Sequence, residues 1–167
     1  MRKHLPVYYH SAGYAKEYHK TVEYNASYRL NVECRNAICE AIDEHYKNNS
    51  LDEAGAHNII ERFGYERSMV ILANTVRQKD WDGRFSPDNR KWAETVPAPC
   101  DMLGERGRRF MIDKVHPGLV NLFIDQVRRE YERTYGRRSI RAALIDNAAQ
   151  GAAEPKPKPR KKSEQSL

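Results

Sequence analysis

Apolar positions recur along most of this chain at the three- and four-residue spacing of helices. Leu30, Cys34, Ala37, Ile38, Ala41 and Ile42 form one stripe, predicting a helix over about 26–47 with a single core-facing side. Ahead of it, Ser11 is placed to cap a short helix running to about Tyr18. Ser50-Leu51-Asp52-Glu53 has the spacing of a capping box, and the helix it opens meets a glycine stop at Phe63-Gly64. Residues 66–78, "ERSMVILANTVRQ", are apolar on most sides and predict a buried helix through Gln78. A strand competes there, because Met69–Leu72 alone do not fix the period. Asp82-Gly83 marks a turn, and Ser86-Pro87 reads as a cap with proline at the first position of a helix carrying Trp92. Residues 96–109 read as loop, with a short extended segment at 110–112. Pro117 then opens a helix whose apolar face holds Val120, Phe123, Ile124, Val127 and Tyr131, with Gly136 at its end. Ser139 is placed to cap a last helix to about Ala149. The fold class is mainly α: one compact multi-helix domain over 1–150, followed by a disordered basic tail over 151–167.

Charge sharpens that boundary. The formal net charge is +6, and residues 151–167 hold Lys156, Lys158, Arg160, Lys161 and Lys162 against only Glu154 and Glu164, among prolines. The mean hydropathy of -0.87 agrees with part of the chain being unfolded. No apolar run reaches the length of a membrane span, and Pro6 and His10 interrupt the opening segment where a secretory signal needs a continuous apolar stretch. Cys34 and Cys39 diverge on their helix, roughly 140° apart at 100° per residue. Together with Cys100 they point to a reduced cytoplasmic protein.

The chain lacks a glycine-rich phosphate loop, a nucleophile elbow and any zinc-ligand spacing among its histidines and cysteines. No catalytic residue, metal or cofactor is therefore expected. Asp80 and Asp82 around Trp81 admit a metal-dependent enzyme, but two carboxylates supply too few ligands to specify one. The structural alternative has Asp82-Gly83 making the turn, Asp80 pairing with Arg77, Lys79 or Arg84, and Trp81 plugging the corner into the core. In a third reading, Trp81 and Arg84 form an exposed recognition edge. His116, ahead of Pro117, is better placed to cap the helix than to act as a base.

Arginine supplies a stronger signal. Arg129, Arg133 and Arg137 follow one another at four-residue spacing away from the apolar face, with Arg138 and Arg141 beyond and Arg106, Arg108 and Arg109 in the preceding loop. Guanidinium clusters attract phosphates by charge and by paired hydrogen bonds. The bland alternative is a solvated face with Asp125–Arg129 and Arg128–Glu132 pairs, although Arg129 over Arg133 is a like-charge contact that wants an anion nearby. Tyrosines concentrate at the other end: Tyr8, Tyr9, Tyr14, Tyr18, Tyr24 and Tyr28 suit core rims, a protein contact patch or a platform for stacking bases.

Three blocks, "PVYYHSAGYAKEY" at 6–18, "LANTVRQKDWDGRFSPDNRKWAETVP" at 72–97 and "HPGLVNLFIDQVRREY" at 116–131, resemble an uncharacterised domain family common on conjugative elements and phages of gut bacteria. The resemblance covers about residues 6–131 and carries no catalytic residue over. It implies a small accessory protein of a mobile element. The expected function is non-enzymatic binding of nucleic acid, DNA ahead of RNA, or of a nucleoprotein complex. The alternative is an anti-defence inhibitor, of anti-CRISPR or anti-restriction type, that binds a host nuclease.

Overall fold

A helix that is apolar around its whole circumference is stable only when other elements surround it. The computed structural model, which describes residues 4–136, puts the 66–78 segment in that position. It is the second half of α3 (Ala54–Gln78), against which α2 (Thr21–His45), α4 (Pro87–Thr95), α5 (Pro117–Tyr135) and a 3-10 helix (Gly104–Phe110) all pack. Met69, Val70, Ile71, Leu72 and Ala73 have no exposed surface, so the helix prevails over the strand. The stop at Gly64 is also present: its φ of 88° and ψ of 162° break α3 in the middle. His4 crosses this break, with its ring against Gly64 and its Nε2 2.9 Å from the Glu61 carbonyl.

The helix starts follow local chemistry. Ser11 accepts from the Tyr14 amide at the head of α1 (Ala12–Glu17), and Ser86 accepts from Asn89 at the head of α4. His116 Nδ1 accepts from the Gly118 amide at the head of α5, which Gly136 ends. The Ser50 capping box does not form. Ser50 and Leu51 instead make strand β2, paired antiparallel with β1 (Tyr46–Lys47) through Asn48 and Asn49, both at positive φ. α3 begins later, where Asp52 Oδ1 accepts from the Ala54 amide. The extended segment at 110–112 is likewise corrected, because Phe110 ends a 3-10 helix and only Met111 and Ile112 lie outside it. The Ser139 helix and the basic tail lie outside the described residues.

α2 and α3 run antiparallel: Ala41 neighbours Gly55 at one end, and Ser27 neighbours Arg67 at the other. Arg67 is 1% exposed and stands inside the otherwise apolar run of α3. Its Nη1 donates to the Ser27 carbonyl (3.1 Å), to Ser27 Oγ (3.2 Å) and to Asn31 Oδ1 on α2. Its Nη2 donates to the carbonyls of Leu5 (3.2 Å) and Pro6 (3.1 Å). No carboxylate of the described residues lies within ion-pair distance of this guanidinium, so neutral oxygens solvate a buried cation. Glu66 holds the same N-terminal segment by accepting from the Val7 amide (3.1 Å) and the Tyr9 hydroxyl (2.9 Å). Burial pushes the neighbouring Cys34 thiol up to about 12, and all three cysteines are free.

Polar side chains at the end of α3 tie down the loop that follows α4. Asn74 donates to the Gly107 carbonyl (2.8 Å), Gln78 to the Gly104 carbonyl (2.8 Å), and the Ile112 amide donates to Thr75 Oγ1 (3.0 Å). A Cβ on Gly107 would lie 2.4 Å from Asn74 Oδ1 and 2.7 Å from the Met102 carbonyl oxygen, so only glycine fits.

Replacing Arg67 by Leu leaves its buried acceptors without a donor, and we expect a loss of about 3 kcal/mol or more in urea unfolding. A loss below about 1 kcal/mol would show that the cluster is dispensable. Gly107→Ala should cost about 1–3 kcal/mol by overpacking, read in the same experiment.

Candidate nucleic-acid interface

The Asp80-Trp81-Asp82 corner is held differently from the expectation. Asp82, not Asp80, makes the ion pair: Arg84 Nη2 donates to Oδ2 (2.9 Å), Arg84 Nε donates to Oδ1 (2.9 Å), and the Arg84 amide also donates to Oδ1 (3.0 Å). Arg90 closes the turn from the other side by donating to the carbonyls of Asp80, Asp82 and Phe85. Asp82 is buried beneath a half-exposed Arg84, and those hydrogen bonds hold its carboxyl down at about 2. A carboxylate so engaged is a poor base and offers no free oxygen to a metal. Among the described residues no group of histidines, cysteines or carboxylates is arranged to hold an ion. Trp81 does not plug the core. It is 74% exposed, whereas Trp92 is 3% exposed and fills the position expected of Trp81. Of the two residues expected to form a recognition edge, Trp81 is exposed, and Arg84 is committed to Asp82 with its Nη1 3.2 Å from His116 Nε2.

The arginines of α5 divide between core and surface. Arg128 turns inward, donating to Asn89 Oδ1 (2.7 Å) and lying 5.7 Å over the Trp92 ring, while Asp125 accepts from Asn89 (3.0 Å). Arg129 and Arg133 both reach Glu53, at 3.4 and 3.9 Å, and Arg133 also lies 4.0 Å from Glu130. The Asp125–Arg129 and Arg128–Glu132 pairs are thus replaced by partners on other elements. The anion wanted between Arg129 and Arg133 is Glu53 of this same chain. Arg137, Arg138, Arg141 and the tail cations lie outside the described residues.

The tyrosines and the loop arginines, separate in the sequence, meet in space. Tyr14 stacks on His10 with ring centroids 3.8 Å apart and touches Tyr18 at 4.5 Å. His10 meets Tyr8 edge-on (5.9 Å), Tyr8 meets Tyr24 (6.1 Å), Tyr24 meets Tyr28 (6.1 Å), and Tyr28 meets Phe110 (5.1 Å). This continuous aromatic chain ends in an open cleft of about 460 Å³, where the partly exposed Tyr24 and Tyr28, backed by the buried Phe110, face Asp101, Arg106 and Arg109. Such a volume lies within the range of about 300–1,000 Å³ usual for small-molecule sites.

Local hydrogen bonds set the cleft's polarity. Arg109 Nη1 donates to the Tyr28 hydroxyl (2.5 Å), and Arg35 donates to the Arg109 carbonyl, which fixes the loop against α2. Tyr24 donates to Asp101 Oδ2 (2.6 Å). Burial and that bond push its phenol up to about 12, so it remains a donor at neutral pH. Arg106 is exposed at the rim and makes no hydrogen bond or ion pair with the described residues. Arg108 is exposed on the same 3-10 helix but does not line the cleft. Tyr9 is turned inward onto Glu66. Asp101 and Phe110 line the cleft without a sequence signal that pointed to them, whereas Tyr24 and Tyr28 belong to the tyrosine group read as core rim, contact patch or stacking platform. The Tyr24/Tyr28 spacing was visible, but its partner in the loop near residue 109 was not.

Because the folded pKa of Asp82 lies below the ordinary 3.8, its contribution to stability is complete above about pH 3.8 and is lost as pH falls through about 2. Burial raises Glu66 instead, a shift of the opposite sign that is common to both proteins when wild type is compared with Asp82→Asn. In thermal unfolding between pH 5 and pH 2 we expect the gap between wild type and Asp82→Asn to close as the pH drops (roughly the interval bounded by the two pKa values). A gap independent of pH would rule out the ionised pair as its source.

Among the described residues no helix is long and apolar enough to cross a membrane. Neither a curated protein nor a solved structure matches the chain. Residues 7–132 match the family described as "Protein of unknown function (DUF3849)", a span that takes in the aromatic chain, the cleft, the Asp82 corner and nearly all of α5. The chain belongs to the DUF3849 family.

Proposed function

We propose that this protein is a non-enzymatic accessory protein of a bacterial mobile element and that it binds single-stranded nucleic acid, alone or within a nucleoprotein complex, through the Tyr24–Arg109 cleft. The observation that carries the reading is the junction of an aromatic chain with two arginines at one open cleft. Bases stack on ring faces whatever their sequence, and guanidiniums hold the phosphates between them. Among the described residues no carboxylate pairs with Arg106, unlike Arg129 and Arg133, which share Glu53. The cationic tail adds attraction that is blind to sequence. The mobile-element setting is supported by the resemblance of the three sequence blocks and belongs to the proposal.

A second reading has its own observation. Trp81 is a large aromatic left in solvent on an ion-paired turn, a suitable anchor for a protein surface such as that of a host nuclease. On that reading Trp81→Ala leaves stability intact and abolishes a stable complex with the nuclease, while Arg106→Glu has no effect on it.

Anisotropy of a labelled single-stranded oligonucleotide across a salt series separates these readings. For the full chain, Arg106→Glu should weaken binding and reduce the slope of log K against log salt by about 1. Removal of residues 151–167 should lower affinity while sensitivity to Arg106 persists. Binding that disappears with the tail and ignores Arg106 would contradict the cleft.

A further inference from the structure

We propose that the cleft selects bases bearing an exocyclic amino group and that Asp101 is the residue that reads it. The inference rests on the single-strand binding proposed above and specifies its ligand. Asp101 is half-buried in the cleft wall, on the same lining as Arg106 and Arg109. Its Oδ2 accepts the Tyr24 hydroxyl at 2.6 Å, whereas its Oδ1 receives no hydrogen bond from the described residues. An ionised carboxylate can only accept, so a ligand atom beside Oδ1 has to be a donor.

The charges fix how a nucleotide lies. Phosphate is repelled by Asp101 and drawn to Arg106 and Arg109, which turns the polar edge of the base toward Asp101. The partly exposed ring of Tyr28, backed edge-on by the buried Phe110, supplies the apolar wall of the same cleft. Cytosine then offers its 4-amino group to Oδ1. Uracil, of nearly the same shape, presents a carbonyl at the 4-position, and its one donor on that edge, N3–H, lies a ring atom away and meets Oδ1 only if the base shifts from the same pose. A site placed to accept a hydrogen bond from the 4-position disfavours the isostere that lacks a donor there.

Labelled oligo-dC and oligo-dU of equal length, titrated with the full chain at neutral pH and fixed salt, test the inference. We expect oligo-dC to bind about tenfold more tightly. In Asp101→Asn, whose amide can donate to the uracil carbonyl, the ratio should fall to about twofold or less. Tyr24→Phe leaves the carboxylate in place and frees Oδ2, so the oligo-dC preference should persist even where Asp101→Asn fails to fold. Equal binding of both oligomers that Arg106→Glu still weakens would overturn the inference and leave the proposed function standing. A preference that survives in folded Asp101→Asn, or one lost in Tyr24→Phe, would equally overturn it. Absence of binding to either oligomer overturns both.

Discussion

Arg67 is a full positive charge enclosed by helices, and the arrangement of this fold depends on how that charge is satisfied. Five acceptor atoms from two distant stretches, residues 5–6 and residues 27–31, converge on one guanidinium of α3. Burial lowers its pKa, yet an arginine stays protonated in proteins, so its donors must be satisfied where they lie. The N-terminal segment consequently crosses α2 and α3 along a fixed path. Glu66 reinforces that path through Val7 and Tyr9, and His4 seats on the break at Gly64. An apolar residue at 67 would leave these acceptors without a donor and would not specify this path, a role for which buried polar groups have precedent.

The same constraint connects the core to the cleft. Leu5 and Pro6 are fixed by Arg67, and Tyr8 is fixed next to them by its amide, which donates to Ser27 Oγ at 3.0 Å. The aromatic chain from Tyr18 to Phe110 passes through Tyr8, so its alignment is inherited from the buried cluster. On the other wall, Asn74 and Gln78 of α3 hold the 3-10 helix that carries Arg106 and Arg109, and Thr75 holds Ile112 just beyond it. Both walls are therefore tied to one central helix. A site built on such supports is more precise than one carried by free loops.

What the sequence reveals is mostly local. Ser11, Ser86-Pro87, His116-Pro117 and the Gly64 stop are read correctly because each feature is decided within four residues. The capping box fails for an instructive reason: Asn48 and Asn49 tolerate positive φ, and the hairpin they permit takes Ser50 before the helix can use it. Arg67 is illegible as an anchor because its acceptors lie tens of positions away. One signal was available: Ser27 and Asn31 continue the Cys34–Ile38 stripe of α2, and polar groups on a core-facing stripe imply a buried donor opposite. Trp81 faces solvent and only Trp92 enters the core, because propensity cannot say which side of a turn faces inward. The densest block of the sequence, 72–97, proves to be mainly ties: Asn74 and Gln78 to the loop, Arg77 to the end of α4, Asp82 to Arg84, and Asn89 to α5.

Photocrosslinking would test the central claim most directly. A single-stranded oligonucleotide carrying a photoreactive base, irradiated on the full chain and mapped by peptide mass spectrometry, reports which side chains touch bases. Crosslinks are expected at Tyr24 and Tyr28, the partly exposed rings of the cleft. Crosslinks confined to Trp81, to α5 or to residues 151–167 would contradict it.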